Sequence, residues 1–299
     1  MKRASDNVLL TVFTPAYNRA HTLPRTYESL LSQRNKGFVW LIIDDGSTDN
    51  TAELIREWQK KDNGFEIQYL YKENGGMHTA HNVAYENIKT ELNVCIDSDD
   101  QLAKNAIDII YKTWESIRND NYAGIIGLDA DFSGNIIGNC FERNGMATTL
   151  GGFYKRGGKG DKKLVYRTDI MRQYPPYPKF DNEKLVGLGY KYTLCDLEYE
   201  LFAINEILCY VEYQVDGSTN NMWKQRLNNP KGFAFTKKIY MQYPSSFSGL
   251  IKDTIHYIAS SIIAENKHFI RESPRKIITI ILLPFGKVYS NIIRRKAED

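Results

Sequence analysis

Strand and helix signals alternate through the first 118 residues, and this alternation limits the possible folds more than any other feature of the sequence. Short apolar runs that favour strands lie at 8–13, 38–43, 66–71 and 92–96. Segments of helical spacing follow them at 22–31, 50–60, 78–89 and 103–118. This pattern predicts βαβ units, and so an α/β fold with a Rossmann-like, mostly parallel sheet that carries helices on both faces.

The ends of the predicted elements carry their own signals. Thr22 is the expected N-cap of the first helix, and Asn50 with Glu53 resembles a capping box at the start of the second. Beyond residue 119 the pattern is weaker, with strands expected at 123–128, 163–166 and 206–213. From residue 233 the chain is expected to be helical, with breaks at Ser273-Pro274 and Leu283-Pro284.

Composition and charge exclude several classes of protein. The 299 residues are 42% hydrophobic and 25% charged, as in ordinary globular chains, and the formal charge of +3 gives no reason to expect a nucleic-acid partner. The four cysteines form no CxxC pair, and their apolar neighbours favour buried, reduced thiols in a reducing compartment. With no signal peptide and no apolar run of about 20 residues, we expect a soluble chain or one that lies on a membrane surface.

Polar residues follow three of the first four predicted strands. The clusters are Thr14-Pro15-Ala16-Tyr17-Asn18, Asp44-Asp45-Gly46-Ser47 and Asp97-Ser98-Asp99-Asp100. Because right-handed crossovers put the carboxyl ends of parallel strands on one edge, the clusters are expected to meet where open α/β sheets bind ligands. Their convergence indicates a site more strongly than any one cluster does.

Asp97 and Asp99 are two residues apart, so in an extended segment both carboxylates face the same side. Carboxylate oxygens suit Mg²⁺ or Mn²⁺, and Mg²⁺ takes one or two carboxylates together with substrate phosphates. The alternative for the same residues is a solvated loop in which Asp100 caps the following helix.

Two further segments suggest contacts with a nucleotide. A carboxylate of Asp44-Asp45 is suited to accept from a ribose hydroxyl or a base N–H, although the pair could also form a plain turn. Residues 73–82 lead into a helix N-terminus that offers N–H groups to phosphate, with His78 and His81 as further donors or as ordinary helix-face residues. The sequence contains no GxGxxG or GxxxxGK[ST] motif, which disfavours NAD and P-loop chemistry.

Three motifs, in this order, resemble those of family-2 inverting glycosyltransferases with the GT-A fold. They are Thr11-Val12-Phe13-Thr14-Pro15-Ala16-Tyr17-Asn18-Arg19, Ile43-Asp44-Asp45-Gly46-Ser47-Thr48-Asp49 and Ile96-Asp97-Ser98-Asp99-Asp100. The resemblance is strong over 7–118 and looser to about residue 243, through 180–184 and 212–218. It implies a catalytic domain at 1–243, with a nucleotide-sugar-binding half (1–118) and an acceptor half (119–243), before a helical, basic amphipathic extension at 244–299.

The family implies a nucleotide-sugar donor, usually a UDP-sugar, and a divalent cation, Mn²⁺ or Mg²⁺. By match to the motifs, the nucleotide sugar would contact Pro15, Ala16, Tyr17, Asn18, Asp44, Asp45, Asn74, Gly76, His81, Asn82, Asp97 and Ser98. Pro15, Ala16 and Tyr17 would line the base pocket, and Asp44 would contact uracil or ribose. Asp97 and Asp99 would hold the metal, and His81 stands where many relatives have Arg.

Inversion needs a carboxylate base that deprotonates the acceptor hydroxyl. Many relatives carry this base in a Glu-Asp or Pro-Glu pair, but the corresponding stretch here is Val186-Gly187-Leu188-Gly189. We expect Glu183 to be the base, with Asp181 second, because both lie in the loop expected to face the donor. The remaining acids nearby have the spacing of a solvated helix face; they are Asp196, Glu198 and Glu200.

The C-terminal segment 267–296 carries eight basic residues and one acid around the apolar run 277–283. Such a segment suits the surface of an anionic membrane, but could also pack on the catalytic domain or on another copy of the chain. A lipid-linked oligosaccharide or polysaccharide acceptor would account for membrane contact, and relatives commonly build bacterial capsule, exopolysaccharide or cell-wall glycans on such lipids. We therefore expect a cytoplasmic enzyme at the inner face of the plasma membrane; donor sugar, linkage and oligomeric state stay open.

Two other functions also stay open. A catalytically weak or inactive nucleotide-sugar-binding scaffold fits the missing acids at Gly187 and Leu188, although Asp97 and Asp99 are intact. A sugar nucleotidyltransferase uses a similar sheet and an acidic metal site, but it needs a Gly-rich basic loop that residues 14–19 do not provide.

Overall fold

The computed structural model describes residues 8–118, 121–212 and 221–298, and contacts divide the chain into two compact units. Unit 1 comprises Met1–Pro176 with Cys195–Glu212, and unit 2 comprises Tyr177–Leu194 with Tyr213–Asp299, as far as these ranges are described. The expected boundary at residue 243 stays a prediction. Of the motif at 212–218, only Glu212 lies within the described residues.

The sheet of unit 1 has nine strands among the described residues. They are β1 (Leu10–Ala16), β2 (Phe38–Asp44), β3 (Glu66–Tyr71), β4 (Leu92–Cys95), β5 (Gln101–Leu102), β6 (Tyr122–Ala130), β7 (Met146–Thr148), β8 (Lys162–Arg167) and β9 (Glu200–Tyr210). Their order is β3-β2-β1-β4-β8-β6-β9-β5, with β7 also paired to β9. The first four are parallel neighbours, as predicted, whereas β8 runs antiparallel between β4 and β6, so the whole sheet is mixed.

The described residues also form helices, in both units. They are α1 (Leu23–Leu31), α2 (Thr51–Gln59), α3 (Met77–Asn87), α4 (Ala106–Ile117), α5 (Leu150–Lys155), α6 (Thr168–Gln173), α7 (Gly189–Cys195), α8 (Met222–Asn228), α9 (Pro230–Gln242), α10 (Phe247–Ile263), α11 (Phe269–Glu272), α12 (Lys276–Ile281) and α13 (Leu283–Glu298). The four helices predicted before residue 119 are confirmed. Thr22 and Asn50 lie at the predicted N-cap positions of α1 and α2, but neither makes the expected side-chain cap hydrogen bond; Asp49 accepts from the N–H of Thr51 instead (3.0 Å).

Apolar side chains cover both faces of the parallel strands, because successive residues of a strand point to opposite sides. On one face the rings of Tyr27 of α1 and Trp58 of α2 stack on each other (4.2 Å), and Trp40 of β2 lies against both, at ring-centroid distances of 6.0 and 5.8 Å. On the other face Phe13 of β1 contacts Tyr85 of α3 (5.8 Å). Burying each such side chain contributes about 1.5–3 kcal/mol, and the prediction of helices on both faces is confirmed.

Unit 2 is helical in its described residues, and α10 packs against α9 and α13. Gly286 permits the close approach of α13 to α10, because a Cβ there would lie 2.3 Å from Cγ2 of Ile258. Both predicted breaks are confirmed: α11 ends just before Ser273-Pro274, and α13 begins at Leu283-Pro284. In the part of the chain that the structure describes, no helix is long and apolar enough to cross a membrane.

The four cysteines are free. Cys195 and Cys209 are buried and Cys95 is half-buried, in keeping with the expected interior positions. Cys140 is exposed, contrary to expectation, because it lies in the connection between β6 and β7 rather than in an apolar strand.

Candidate active site

The carboxyl ends of β1, β2 and β4 lie side by side, because β1 pairs in parallel with both neighbours. Ala16 lies opposite Asp44, and Phe13 lies opposite Cys95, two residues before Asp97. The three polar clusters identified in the sequence therefore meet at one edge of the sheet.

The loop after β1 is tied to the turn after β2. The N–H of Asn18 donates to Oγ of Ser47 (2.9 Å), and Oδ1 of Asn18 accepts from the N–H of Thr48 (2.8 Å). Pro15 and Ala16 are buried within β1, whereas Tyr17 is 47% exposed. These contacts fix the backbone on both sides of Tyr17 and leave its ring accessible at the edge.

Asp44 and Asp45 accept hydrogen bonds from different parts of this edge. Oδ1 of Asp44 accepts from the N–H of Ser47 (2.8 Å) and Oδ2 from the hydroxyl of Tyr69 (2.7 Å). Asp45 accepts from the N–H groups of Gly75 (3.0 Å) and Gly76 (2.7 Å) and pairs with Lys72. Asp45 therefore holds residues 72–76 against β2, a supporting role that the sequence did not reveal.

Gly46 brings the same turn against the loop before α3. Its φ is +84°, and a Cβ there would lie 2.7 Å from the main-chain nitrogen of Asn74. Any other residue would therefore push the turn after β2 away from Asn74. The predicted donor-binding residues Asn74 and Gly76 are thus joined to Asp44 and Asp45 through backbone contacts.

The two histidines of α3 are buried, at 1% exposure for His78 and 0% for His81. The ring of His81 packs edge-on against Phe13 (5.0 Å), and its Nε2 lies 3.6 Å from Sγ of Cys95. Asn82 is also buried. The prediction that His81 and Asn82 contact the donor stays a prediction; the ring of His81 lies against β1 and β4.

Residues 97–100 form a tight turn that contacts α1. The N–H of Asp100 donates to the carbonyl of Asp97 (3.1 Å), and Thr26 of α1 donates from its hydroxyl to the carbonyl of Asp100 (2.8 Å). Arg25 of α1 donates to the carbonyl of Asp99. Ser98 is buried, whereas Asp97 and Asp99 are half-buried. Contacts with α1 therefore fix the turn that follows β4 and leave the carboxylates of Asp97 and Asp99 near the surface.

Charge repulsion in this turn favours a bound cation. Burial, and next the neighbouring carboxylate of Asp97, raise the pKa of Asp99 above its ordinary value. Within the described ranges, no three His, Cys, Asp or Glu side chains are grouped to hold a metal ion. The chain thus offers a two-carboxylate donor set, which fits Mg²⁺ or Mn²⁺ if phosphate and water complete the coordination.

A buried charge cluster lies behind the turn, and it was not predicted from the sequence. Nζ of Lys163, on β8, lies 3.8 Å from Oδ2 of Asp100 and 3.9 Å from Oδ1 of Asp129, on β6. Asp100 therefore does not cap a helix; α4 begins later, after Asn105. The one available signal was a lysine at the start of an otherwise apolar strand.

The predicted bases Glu183 and Asp181 both belong to unit 2. The carboxylate of Glu183 accepts from the N–H groups of Lys231 (2.9 Å) and Gly232 (2.8 Å), in the first turn of α9. Asp181 is exposed. Glu183 thus has a structural role at the start of α9, and the assignment of either residue as the base stays a prediction.

Asp196 does not lie on a solvated helix face as expected. It is half-buried and accepts from the N–H groups of Leu150 (3.2 Å) and Gly151 (2.7 Å), so it caps α5. Burial raises its pKa to about 6. The capped end of α5 follows β7, which pairs with the start of β9, at the opposite edge of the sheet from residues 97–100. Asp196 therefore has a structural role outside the candidate site.

Comparison with known proteins finds matches to glycosyltransferases. The model of the family "Glycosyl transferase family 2" matches residues 11–177, which is more than half of the chain. The putative teichuronic acid biosynthesis glycosyltransferase TuaG of Bacillus subtilis is 33% identical over 100 residues, covering 33% of this chain and 39% of that protein. The first curated relatives are matched over only 14–39% of their own lengths.

Solved structures share the fold over nearly the whole chain. TarS 1-349 of S. aureus in complex with UDP-GlcNAc superposes with a TM-score of 0.61 at 15% identity, covering 97% of this chain and 90% of that one. The mannosyltransferase PcManGT of Pyrobaculum calidifontis, in complex with GDP-Man and Mn²⁺, gives a TM-score of 0.53 at 15% identity, with 94% and 86% covered. The α/β fold with its edge site and the family match lead to one conclusion: this chain belongs to glycosyl transferase family 2.

Proposed function

We propose that this chain transfers a glycosyl group, with inversion, from a UDP-sugar to an acceptor hydroxyl. The observation that carries the proposal is the parallel pairing that brings three strand-end loops, with Asp44, Asp97 and Asp99, to one edge of the sheet. TarS, which shares the fold, binds UDP-GlcNAc, and this supports a UDP-sugar as the donor.

Asp97 and Asp99 are the residues that would hold Mn²⁺ or Mg²⁺. A bound cation supplies positive charge that stabilises the diphosphate as it leaves the sugar. Two observations support this assignment: both carboxylates are half-buried in one tight turn, and the complex of PcManGT contains Mn²⁺.

The other edge residues would bind and orient the nucleotide. Pro15, Ala16 and Tyr17 would contact the base, and Asp44 would accept from uracil or ribose. The start of α3, which follows Asn74, would offer main-chain N–H groups to the diphosphate, while the N–H of Gly76 itself is donated to Asp45. The supporting roles would fall to the residues that fix these groups: Asn18, Asp45, His81, Asn82 and Ser98.

The proposed base is a carboxylate of unit 2, Glu183 or Asp181. The Glu183→Gln and Asp181→Asn variants show whether each residue acts as the base or has only a structural role. If a residue is the base, its variant binds UDP normally and transfers slowly at an unchanged melting temperature. A variant that only loses the contact with α9 melts earlier and keeps its turnover per folded molecule.

A membrane surface is the proposed location of the acceptor. Six apolar side chains form an exposed stripe on α12 and α13, here called the apolar stripe. They are Ile277, Ile280, Ile281, Phe285, Val288 and Ile292, each 37–75% exposed. The same two helices carry exposed cations, namely Lys276, Lys287, Arg294, Arg295 and Lys296. This combination suits the interface of an anionic bilayer, so we propose a lipid-linked acceptor of bacterial surface-glycan synthesis at the cytoplasmic face.

The experiment for the proposed reaction is a screen of nucleotide sugars by thermal shift with and without Mn²⁺, followed by UDP release with a glycolipid acceptor. A ligand that binds only the folded state raises its melting temperature. Metal-dependent stabilisation by a UDP-sugar and acceptor-dependent UDP release are expected. Binding without release would support an inactive scaffold, and release of pyrophosphate from a nucleoside triphosphate would support nucleotidyl transfer.

A further inference from the structure

Lys163 stands out because it is a buried cation that the proposed reaction does not use. It is 9% exposed, and it lies beside the carboxylates of Asp100 (6% exposed) and Asp129 (2% exposed). Within the described residues, Oδ1 of Asp129 accepts no hydrogen bond, so Lys163 at 3.9 Å is its main compensation. Buried carboxylates are costly without such a partner.

The strand pairing explains why Lys163 reaches the turn at 97–100. Val165 lies opposite Val94 in the antiparallel pair of β8 with β4, so Lys163 lies two residues further on, beside the end of β4. Lys163 also lies opposite Gly127 of β6, two residues before Asp129. Side chains two residues apart in a strand share a face, so Lys163 and Asp129 are diagonal neighbours.

The ammonium of Lys163 is therefore at the inner end of a group of four carboxylates. Asp97 and Asp99 form the outer end, near the surface, while Asp100 and Asp129 form the inner end. Although burial alone would lower the pKa of Lys163, the neighbouring carboxylates, with Asp129 foremost, raise it well above its ordinary value. Lys163 consequently carries its charge at neutral pH.

Without this ammonium the negative charge of Asp100 and Asp129 would attract a divalent cation inward, because carboxylate oxygens are the ligands that Mg²⁺ and Mn²⁺ take. Building on the proposed metal-dependent transfer, we propose that Lys163 is a positioning residue that fills the inner end and confines the metal to Asp97 and Asp99. At the outer position a metal ion is accessible to a diphosphate. At the inner position, beside residues that are 6% and 2% exposed, it would be out of reach of the diphosphate.

The test is Mn²⁺ binding to the full chain, measured by electron paramagnetic resonance without nucleotide and then with UDP. Wild type is expected to bind Mn²⁺ weakly alone and more tightly with UDP. Lys163→Met is expected to bind Mn²⁺ without UDP about tenfold more tightly than wild type, because a positive charge has left the site. UDP then adds little to its Mn²⁺ affinity, and turnover falls.

Lys162 provides the matched control. It is 7% exposed and adjacent on β8, but its Nζ donates to main-chain carbonyls, of Ile137 (3.0 Å) and Lys159 (3.1 Å). Lys162→Met is expected to lower the melting temperature and leave Mn²⁺ binding unchanged. Lys163→Arg should restore the wild-type response to UDP, and adding Asp129→Asn to Lys163→Met should return the Mn²⁺ affinity towards wild type.

The outcomes distinguish failure of the proposed function from failure of the role proposed for Lys163. Wild type that binds neither Mn²⁺ nor UDP contradicts the proposed function. A folded Lys163→Met protein with wild-type or weaker Mn²⁺ affinity in the absence of UDP overturns the role of Lys163 alone. Should Lys163→Met not fold, Lys163→Gln removes the same charge while keeping a polar group, and the same result is expected of it.

Discussion

At the carboxyl ends of its parallel strands this chain buries charged side chains, whereas along α12 and α13 it exposes large apolar ones. Asp45 and Asp100 are at most 6% exposed, while Ile277 and Phe285 are 75% and 60% exposed. Each arrangement costs free energy when nothing is bound: the first by desolvating charges and the second by contact of apolar surface with water. We propose a different kind of ligand for each region, a charged one at the sheet edge and an apolar surface at the C-terminal helices.

The largest expected effect comes from the outer carboxylates. Asp99→Asn should lower turnover by about 10²–10³-fold, because the diphosphate would leave without full compensation of its charge. The measurement is the rate of UDP release at saturating Mn²⁺, and Asp108→Asn on α4 is the control. Wild-type turnover by folded Asp99→Asn would remove this residue from the metal site.

Loss of the carboxylate of Asp45, which holds residues 72–76 at the edge, should have a smaller effect than loss of the Asp99 carboxylate. Asp45→Asn removes the charge partner of Lys72 and weakens the bonds to Gly75 and Gly76, so we expect a loss of about 2 kcal/mol in the free energy of unfolding. Urea denaturation measures this loss, and UDP affinity should fall with it. Unchanged stability together with lost UDP affinity would instead indicate direct contact of Asp45 with the nucleotide.

The comparison also shows what a sequence can predict. Strands and helices before residue 119 could be located because apolar periodicity and polar strand ends are local signals. The cluster of Lys163, Asp100 and Asp129 could not, because it depends on the antiparallel insertion of β8 between β4 and β6. The same limit explains Asp196, whose helical spacing suggested a solvated face although it caps α5, which is distant in sequence.

The candidate site was predictable in outline and not in its internal contacts. The motifs identified Asp44, Asp97 and Asp99, and parallel pairing brings their strand ends together. The sequence does not show that Asp45 holds the loop before α3, or that Glu183 binds the first turn of α9. Such roles depend on main-chain N–H donors, which every residue except proline has, so no residue type marks them in the sequence.

The apolar stripe should govern binding to vesicles. Replacing Ile281 and Phe285 together by Ser should weaken binding to anionic vesicles by about tenfold, because two exposed apolar side chains no longer enter the interface. Flotation with anionic and neutral vesicles measures the effect, and Leu197→Ser, at a 52% exposed leucine of unit 1, is the control.

Point variants are preferable to removal of α12 and α13, because Ile278 and Leu282 pack against the core of unit 2. Binding to anionic vesicles should fall as salt rises, since the neighbouring cations are exposed. Equal flotation of wild type and the double variant would contradict the membrane proposal. A concentration-dependent dimer that the double variant abolishes would assign the stripe to a second copy of the chain.

The smallest expected effect concerns His256, which stacks on Tyr289 (4.7 Å). Burial, followed by the charge of Arg226, lowers its pKa from 6.5 to about 3. Because the folded state takes up this proton less readily than the unfolded state, the contribution of His256 to stability is complete above pH 6.5 and is lost as pH falls towards 3.

His256→Phe should therefore reduce the loss of stability between pH 6.5 and 4, as measured by urea denaturation across that range. His268→Phe, at an exposed histidine of the same unit, is the control and should keep the wild-type slope. An unchanged slope in His256→Phe would show that this histidine takes up its proton equally in both states.

We propose that three strand ends of unit 1 form one site for a nucleotide diphosphate and its cation, and a crystal of the chain soaked with UDP and Mn²⁺ is the decisive experiment. Anomalous density for Mn²⁺ is expected at the Asp99 carboxylate, with the uracil against Pro15–Tyr17 and its polar edge towards Asp44. Nucleotide bound at another edge, or Mn²⁺ away from Asp99, would contradict it.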